Sequence, residues 1–358
     1  MTSPTRAAAA IVAVTHAVPT GQDQDALWSD FFAARYDDDP RAARLWRAAG
    51  VRRRHGVVDP RELDVSAWGT GARMERFVTD AVPLGKEATS AALSQAGLAA
   101  TDVGLFAVAS CTGYATPGLD IMLARDLAMA ADVQRLGIGH MGCYAAVPGV
   151  GAACDFVVAR GRPAVLLCCE LTSLHVQPAG AGGPLTRANL DQLTAHSLFA
   201  DAAAAVVLRP DSAGLQVVDV AAMTDPATAD LMTWDVTDTG FRMGLSPRVP
   251  DVLARHVVPM VGELLARHGI GIDDVGYWAV HPGGPRILDV VADRLGLADG
   301  ALDCAAGVLR DYGNCSSATV LMVLETLMQQ GIGPGAWIVM LAFGPGLTLY
   351  AALLRHTA

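Results

Sequence analysis

The 358-residue sequence contains no pair of cysteines in the CxxC spacing that zinc sites and redox motifs use. Most of its seven cysteines lie in apolar segments, and the full set is Cys111, Cys143, Cys154, Cys168, Cys169, Cys304 and Cys315. A secreted domain held by disulfides usually carries an even set of cysteines. We therefore expect a reducing compartment, no disulfide framework, no metal site and no bound cofactor.

The sequence also lacks an excess of basic residues, and its net charge of −10 argues against a nucleic-acid or anionic-membrane partner. No apolar run reaches the ~18–20 residues that a membrane-spanning helix needs. Residues 7–14, AAAAIVAV, have the length of a signal-peptide core, but Thr15 and His16 follow and no cleavage site closes the segment. The segment is predicted to be a buried strand, and the protein to be cytoplasmic.

Common nucleophile and nucleotide-binding motifs are missing too. The chain has no GxSxG elbow and no HExxH zinc motif. One string, residues 149–154 (GVGAAC), resembles a dinucleotide-binding loop, but it lies inside a helical pattern instead of following a strand. This position argues against a pair of independent Rossmann domains.

What the sequence does contain is an internal repeat. Residues 102–108 read DVGLFAV and residues 274–280 read DVGYWAV, with five of seven positions identical. Each follows a predicted helix, at 87–96 and 252–268. The repeat continues from Gly142 and Gly313, where a glycine precedes a mostly apolar helix, a glycine break and a buried strand, predicted at 164–169 and 336–342.

Continuous apolar strands that alternate with helices predict an α/β fold with a largely parallel sheet covered on both faces. The apolar helices of the repeat are expected to be buried between the halves. We predict two similar, duplicated halves, residues 1–212 and residues 213–358.

Three reactive residue types occupy matched places in this repeat. Cys143 and Asn314 each follow a glycine directly before a helix, and His281 stands at the carboxyl end of a strand. A cysteine at a helix N-terminus beside an imidazole is expected to have a lowered pKa. A His N–H and an Asn NH2 that converge on one point form an oxyanion hole. This set suits acyl transfer through a thioester and decarboxylation of a malonyl thioester.

Simpler explanations exist for each residue alone. A buried cysteine is usually inert packing, a histidine at a strand end often makes a structural hydrogen bond, and an asparagine after glycine can be an N-cap. A papain-like protease also uses Cys, His and Asn, but it lacks a duplicated α/β pattern. A scaffold without catalysis remains an alternative.

The motifs GNCSSA (313–318), HPGGPRIL (281–288) and FGPGLT (343–348) closely resemble those of type III polyketide synthases, the chalcone synthase-like enzymes. These enzymes belong to the thiolase superfamily. The resemblance to them implies an αβαβα fold of two similar halves and a homodimer. It also implies that Cys143 carries the acyl chain and that His281 and Asn314 decarboxylate malonyl-CoA. The 3-oxoacyl-ACP synthase III enzymes share the fold and the Cys, His and Asn, but usually differ in these motifs.

The resemblance further implies an entrance to the site. Phe199 in SLFAD matches the family's gatekeeper phenylalanine, for which a core aromatic is the simpler explanation. A basic cluster resembles one that meets CoA phosphates, and an ordinary solvated turn is its alternative. The residues expected to contact CoA are Arg52, Arg53, Arg54, Gly283 and Gly284.

The remaining residues expected at the cavity are Cys111, Thr112, Thr116, Thr172, His175, Trp234, Met243, Ser316, Gly344 and Gly346. Thr116 stands where plant chalcone synthases have a methionine that reaches across the dimer interface, and His175 where they usually have a threonine. Trp234 falls at a position that is small in chalcone synthase, and Met243 at a second gatekeeper phenylalanine. These departures argue against a flavonoid-forming cavity.

The resemblance therefore predicts iterative condensation of an acyl-CoA starter with malonyl-CoA or alkylmalonyl-CoA, and an alkyl α-pyrone as product. A naphthalene- or resorcinol-forming synthase is the alternative within the family, and a single condensation of the synthase III type is the alternative outside it. An acyl carrier protein is a second candidate donor of the starter.

Overall fold

The computed structural model of the chain describes residues 8–178 and 186–357. The strands are β1 (Ala9–Ala17), β2 (Gly21–Asp23), β3 (Arg53–His55), β4 (Leu105–Ser110), β5 (Gln134–Gly139), β6 (Ala164–Glu170), β7 (Ala202–Pro210), β8 (Gly214–Thr224), β9 (Met232–Thr237), β10 (Gly240–Leu245), β11 (Val275–Val280), β12 (Trp337–Gly344) and β13 (Thr348–Thr357). The helices are α1 (Gln24–Leu27), α2 (Ala33–Arg35), α3 (Pro40–Arg47), α4 (Thr70–Gln95), α5 (Leu119–Asp126), α6 (Ala146–Arg160), α7 (Arg187–Leu198), α8 (Val249–Ala266), α9 (Pro285–Leu295), α10 (Asp303–Tyr312) and α11 (Thr319–Gln330).

The two halves have the same strand arrangement, as the internal repeat predicts. The N-terminal half has the order β1-β7-β6-β4-β5, and the C-terminal half has the order β8-β13-β12-β11. In both, the first two neighbouring pairs are antiparallel and the third is parallel. The half-sheets join between β1 and β8, where Ala10 faces Gln216 and Ile11 faces Leu215. The predicted boundary at residues 212 and 213 falls in the turn between β7 and β8.

The sheet is mixed, so the prediction of a largely parallel sheet is wrong. The outer pairs β4·β5, β4·β6 and β11·β12 are parallel, whereas the pairs toward the middle are antiparallel. The sequence misleads because a strand buried on both faces is apolar throughout in either direction. All seven residues of β6 are buried, and it pairs parallel on one side and antiparallel on the other.

Helices cover both faces of each half-sheet. On one face of the N-terminal half, α4 packs against β1, β6 and β7, and on the other α6 contacts the same half-sheet. The core that contains α6 also contains α11, and α8 packs on the far side against β8 and β13. The resulting order of layers is the thiolase-like αβαβα fold of two duplicated halves.

The segment Gly142–Arg160 is 19 residues long and apolar enough to meet the composition of a membrane span. Asp155 interrupts the segment and Arg160 ends it, so it is not the continuous apolar run that the sequence analysis excluded. The helix lies in the middle of the fold, where Ala146, Val150 and Ala153 are fully buried in the core that both half-sheets share. It is a core helix whose apolar composition follows from contact with protein on its inner sides.

Candidate active site

Cys143 lies in the turn that opens the central helix of the N-terminal half. Residues Gly142–Tyr144 form a 3-10 turn that leads directly into α6. Gly142 has a φ of +71°, and a Cβ atom at this residue would lie 3.0 Å from Pro345 Cδ. The tight turn places Cys143 in the wall of a cavity, although only 6% of the residue is exposed.

Asn314 occupies the matching place in the C-terminal half. It follows Gly313 and precedes the 3-10 turn Ser316–Ala318, which leads into α11. The Asn314 backbone N–H donates to the carbonyl of Leu198 at 2.8 Å, and its carbonyl accepts from Ala200 N at 2.9 Å. The side-chain Oδ1 accepts from Ser316 N at 2.9 Å. With that oxygen engaged, the NH2 group is the donor that the side chain offers to the site.

His281 directly follows β11, as predicted, and its backbone N–H donates to the carbonyl of Leu341 at 2.8 Å. The imidazole meets the Phe343 ring edge to face, with 5.6 Å between ring centroids. Among the described residues neither ring nitrogen of His281 has a hydrogen-bond partner, although both are buried. Burial lowers the pKa of His281 to about 3, so the ring is neutral at pH 7.

One cavity of about 550 Å³ brings Cys143, His281 and Asn314 together, and we call it the outer cavity. Most of its wall is apolar, contributed by Leu45 and Leu190 among others. The matched positions of the repeat therefore converge on a common space, as the sequence predicts for a shared site.

The thiol of Cys143 differs from the prediction. Burial raises its pKa to about 12, and hydrogen bonds with Ser316 and Asn314 offset only part of this effect. The expected lowering of this pKa is wrong, because desolvation of the buried thiolate is the largest influence on it. Cys143 and His281 are a neutral thiol and a neutral imidazole at rest.

A second, inner cavity of about 140 Å³ lies on the other side of Cys143. Its wall consists of Cys111, Thr112, His140, Gly142, Cys143, Thr172, Phe199, Met232, Trp234, Met243, Ser316 and Pro345. Phe199 and Met243 also line the outer cavity, so both predicted gatekeeper positions stand where the two cavities meet. The Trp234 indole is fixed by a hydrogen bond from Nε1 to the carbonyl of Cys111, 2.8 Å long.

A buried carboxylate next to the inner cavity was not predicted from the sequence. Glu170 accepts hydrogen bonds from Ser317 Oγ at 2.6 Å, Thr112 Oγ1 at 2.8 Å and Cys111 N at 3.0 Å. Burial raises its pKa, and these hydrogen bonds oppose the rise. The signal in the sequence is a carboxylate at the end of an otherwise apolar strand, AVLLCCE. Burial of a carboxylate costs free energy unless hydrogen-bond donors surround it.

Neither the outer nor the inner cavity is lined by Thr116, His175, Gly344 or Gly346, four of the residues predicted for the cavity. Thr116 lies on the exposed surface, where its hydroxyl is 3.3 Å from Tyr114 Oη. His175 lies behind the wall: its Nε2 is 2.6 Å from the carbonyl of Thr112, and its Nδ1 accepts from Phe241 N at 3.0 Å. Burial lowers the pKa of His175 to about 4, and both nitrogens are used within the protein.

The two predicted loop glycines also act from behind the cavity wall. A Cβ atom at Gly344 would lie 2.9 Å from Tyr144 Cδ1, so Gly344 lets β12 approach the turn that carries Cys143. Gly346 has a φ of +137°. Their neighbours Phe343 and Pro345 supply the side chains that line the cavities.

The predicted CoA cluster is divided by the fold. Arg52 and Arg53 are exposed, and Arg52 pairs with Asp311 at 2.8 Å. Arg54 points inward, where burial lowers its pKa to about 9, and a buried guanidinium cannot meet a solvent-borne phosphate. Arg53 and Arg54 are neighbours in β3 and face opposite sides, and Arg52 lies just before the strand begins.

Other residues stand at the outer cavity. Gly283 and Gly284 line it, as do Arg187 and Arg286, which were not predicted. Arg286 follows HPGGP in the sequence, and its charge next to two glycines was the available signal. In residues 8–178 and 186–357 no group of three or more His, Cys, Asp or Glu side chains is placed to hold a metal ion, and all seven cysteines are free thiols.

Known families match almost the whole chain. The model of the N-terminal domain of chalcone and stilbene synthases matches residues 2–212, and that of the C-terminal domain matches residues 216–358. The chain belongs to the chalcone and stilbene synthase family. This type III polyketide synthase is therefore an acyltransferase.

Curated relatives of this polyketide synthase have different products in their names. The 1,3,6,8-tetrahydroxynaphthalene synthase of Streptomyces peucetius subsp. caesius is 39% identical over 322 residues, which cover 87% of this chain and 82% of the relative. The 3,5-dihydroxyphenylacetyl-CoA synthase of Streptomyces toyocaensis is 31% identical over 88% of this chain and 83% of the relative. The alpha-pyrone synthesis polyketide synthase-like Pks18 of Mycobacterium tuberculosis is 29% identical over 87% of this chain and 81% of the relative.

A solved structure is also similar. The crystal structure of PKS-I from the brown alga Ectocarpus siliculosus superimposes with a TM-score of 0.90 at 27% sequence identity. The match covers 99% of this chain and 100% of the algal chain. The whole fold of this polyketide synthase therefore has a solved counterpart in the family.

Proposed function

We propose that this enzyme loads an acyl starter onto Cys143, extends it with a small number of malonyl units and releases an alkyl α-pyrone. The observation that carries this proposal is the inner cavity of about 140 Å³ beside Cys143, much smaller than the outer one. A triketide pyrone needs two malonyl extensions of its starter, whereas a naphthalene made from malonyl units alone needs more of them.

Loading begins from a neutral thiol and a neutral imidazole. His281 accepts the Cys143 proton as the sulfur attacks the thioester carbonyl of acyl-CoA. The carbon–sulfur bond to CoA then breaks, and the departing thiolate takes the proton back from the imidazolium. Because burial disfavours both charged forms, the neutral pair is the starting state and the proton moves as the sulfur attacks.

Extension uses His281 and Asn314 as donors. When the carbon–carbon bond of the malonyl unit breaks, CO2 leaves and the electron pair forms an enolate. The unpartnered imidazole N–H and the Asn314 NH2 group donate to the enolate oxygen. The carbanion attacks the acyl group on Cys143, and the cysteine thiolate is released.

The outer cavity suits the arm and the phosphates of CoA. Its apolar wall fits an extended thioester arm, and two exposed arginines line it. Arg187 pairs with Asp191 at 2.9 Å and Arg286 with Asp251 at 3.5 Å, and a CoA phosphate would compete with these aspartates for the guanidinium groups. Gly283 and Gly284 let the backbone approach the arm closely. The substrates are accordingly acyl-CoA and malonyl-CoA or alkylmalonyl-CoA.

Trp234 limits the inner cavity, and its hydrogen bond to the carbonyl of Cys111 holds the ring in place. A fixed indole supports early ring closure, in which the enol oxygen of a triketide attacks its own thioester carbonyl and expels the thiolate. Pks18 of Mycobacterium tuberculosis carries α-pyrone synthesis in its name at 29% identity, and this likeness supports the same product class.

A naphthalene is the second candidate product. The tetrahydroxynaphthalene synthase of Streptomyces peucetius is 39% identical over most of the chain. Hydroxyl and thiol groups of Thr112, Thr172, Ser316 and Cys111 line the inner cavity and suit a polar, poly-oxygenated chain. A resorcinol-type ring, as in the name of the Streptomyces toyocaensis relative, belongs to the same alternative.

Product analysis separates these candidates. The protein is incubated with hexanoyl-CoA and isotope-labelled malonyl-CoA, and in parallel with malonyl-CoA alone. We expect a labelled triketide pyrone in the first incubation. A naphthalene from malonyl-CoA alone would favour the second candidate, and a 3-oxoacyl thioester as sole product would identify a single-condensation synthase.

Replacement of the nucleophile tests the assignment of Cys143. Cys143→Ala is expected to abolish the acyl adduct seen by intact mass spectrometry and all condensation. Release of CO2 from malonyl-CoA is expected to persist, because His281 and Asn314 remain. Cys304→Ala, a change at a cysteine outside both cavities, serves as the matched control and should load normally. Condensation by Cys143→Ala would contradict the assignment.

Two partners belong to the same proposal. Thr116 is exposed, and a homodimer, the common state in this family, is expected in analytical ultracentrifugation. Loading from hexanoyl-ACP compared with hexanoyl-CoA tests the acyl carrier protein as donor. A monomeric, active enzyme would contradict a role of the second copy in the site.

A further inference from the structure

The last carbonyls of α7, directly before Phe199, are held by two buried side chains from the N-terminal segment. Arg54 Nη1 donates to the carbonyl of His196 and, at 3.2 Å, to that of Phe199. Gln24 Nε2 donates to the carbonyl of Ser197 at 2.9 Å. Helix ends leave such carbonyls without partners, and a cation at the C-terminus also interacts favourably with the helix dipole.

Arg54 is fixed on its other side by aromatic rings. Its guanidinium carbon lies 4.8 Å from the centroid of Trp46 and 5.9 Å from that of Phe32. Both rings are nearly fully buried, so the cation is held in one place by packing as well as by hydrogen bonds. Contact with two rings together with donation to two carbonyls suits the planar fork of arginine better than the single ammonium of lysine.

The chain that follows α7 is joined to the catalytic region. Phe199 forms an isolated parallel bridge with Asn314, through the bonds Asn314 N to Leu198 O and Ala200 N to Asn314 O. Phe199 itself lines both the outer and the inner cavity. The end of α7 thus sets the position of the gate side chain and of the Asn314 backbone at the same time.

We propose that Arg54, supported by Gln24, is a positioning residue that holds the end of α7 so that Phe199 stays at the junction of the two cavities and Asn314 stays beside Cys143. Arg54 lines neither the outer nor the inner cavity and acts through these two residues. The inference rests on the proposed function, because its readout is the fate of malonyl units at the site. In this proposal Arg54 has a role inside the protein, and this role replaces the contact with CoA that the sequence analysis expected.

The test compares wild type with Arg54→Met, Arg54→Lys and Gln24→Leu. Three quantities are measured: the acyl adduct on Cys143 by intact mass, acetyl-CoA formed by decarboxylation without condensation, and extended product. We expect Arg54→Met to load normally while the ratio of acetyl-CoA to extended product rises about tenfold, the scale of a lost hydrogen bond to a charged group. Arg54→Lys should restore part of the wild-type ratio, and Gln24→Leu should shift it in the same direction by less.

Arg294→Met is the matched control, since Arg294 Nε also donates to a backbone carbonyl, that of Ala254 at 3.1 Å, outside both cavities. The control should keep the wild-type ratio. An unchanged ratio in a folded, loading-competent Arg54→Met, or an equal change in Arg294→Met, would overturn the proposal. If Arg54→Met does not fold, an unchanged ratio in Gln24→Leu overturns it.

The two proposals fail in different ways. A wild-type enzyme that extends no starter contradicts the proposed function. A wild-type enzyme that extends its starter, with variants that share its ratio of products, contradicts only the positioning role of Arg54.

Discussion

His281 offers a direct test of how the site is built, because its ring is buried without a hydrogen-bond partner among the described residues. We expect His281→Leu to be at least as stable as wild type at pH 7. Leucine fills similar space, and its substitution removes two unsatisfied polar atoms whose burial costs free energy. No hydrogen bond is lost in exchange.

The pKa of His281 sets how strongly the free energy of unfolding depends on pH. Burial lowers the pKa of His281 to about 3 in the folded chain, against an ordinary value of 6.5 in the unfolded chain. A group whose folded pKa is depressed contributes stability that is present above the unfolded pKa and is lost as the pH falls. Between pH 6.5 and 5 the unfolded histidine binds its proton and the folded one does not, which costs about 2 kcal/mol at ~1.4 kcal/mol per pH unit.

Urea unfolding at pH 7 and pH 5, at one protein concentration, measures this loss. His281→Leu should lose about 2 kcal/mol less than wild type between these pH values. Phe343→Leu is the matched control: it changes the ring that packs on His281 but does not titrate, so it should show the wild-type pH dependence. Equal losses in His281→Leu and wild type would refute a neutral, desolvated His281.

Three further changes have defined outcomes. Trp234→Ala, which opens the inner cavity and removes the bond to Cys111 O, should shift products toward longer polyketides, as measured by mass spectrometry of the extract. Gly142→Ala should cost about 1–2 kcal/mol in urea unfolding and slow loading of Cys143, because φ is +71° and Pro345 lies at 3.0 Å from the new Cβ. Arg286→Glu should raise the KM for acyl-CoA about tenfold with little change in kcat if its charge meets CoA phosphates, whereas Arg160→Glu, at the far end of α6, should not.

The duplicated architecture could be predicted from the sequence because the two halves share a repeated sequence pattern. The strings DVGLFAV and DVGYWAV mark β4 and β11, and the glycines before Cys143 and Asn314 mark the start of the two central helices. Strand direction was not accessible. An apolar run such as AVLLCC indicates that both faces of β6 are covered. It does not indicate which strand pairs with each edge of β6, or in which direction that strand runs.

The sequence predicts a site residue well when its type and its place at the end of a strand or helix are both distinctive. It predicts poorly which member of a run of identical residues reaches the site. Cys143, His281 and Asn314 stand at matched ends of elements and line a common cavity. The run Arg52–Arg54 looks uniform, yet Arg54 alone is buried, and it donates to carbonyls that lie 142 and 145 residues later in the chain. The predicted place of His175 in the cavity wall is also wrong, because its hydrogen-bond partners Thr112 and Phe241 are distant in sequence and could not be foreseen.

The pairing of β1 has a consequence for how the chain acquires its structure. β1 begins at Ala9, but its partners are β7, which ends at Pro210, and β8, which begins at Gly214. During synthesis the first strand therefore leaves the ribosome about 200 residues before its neighbours exist. Non-local pairing of this kind slows folding and leaves apolar strand edges exposed in the meantime. The nascent N-terminal half is thus the stage at which aggregation is favoured, before β7 and β8 cover the edges of β1.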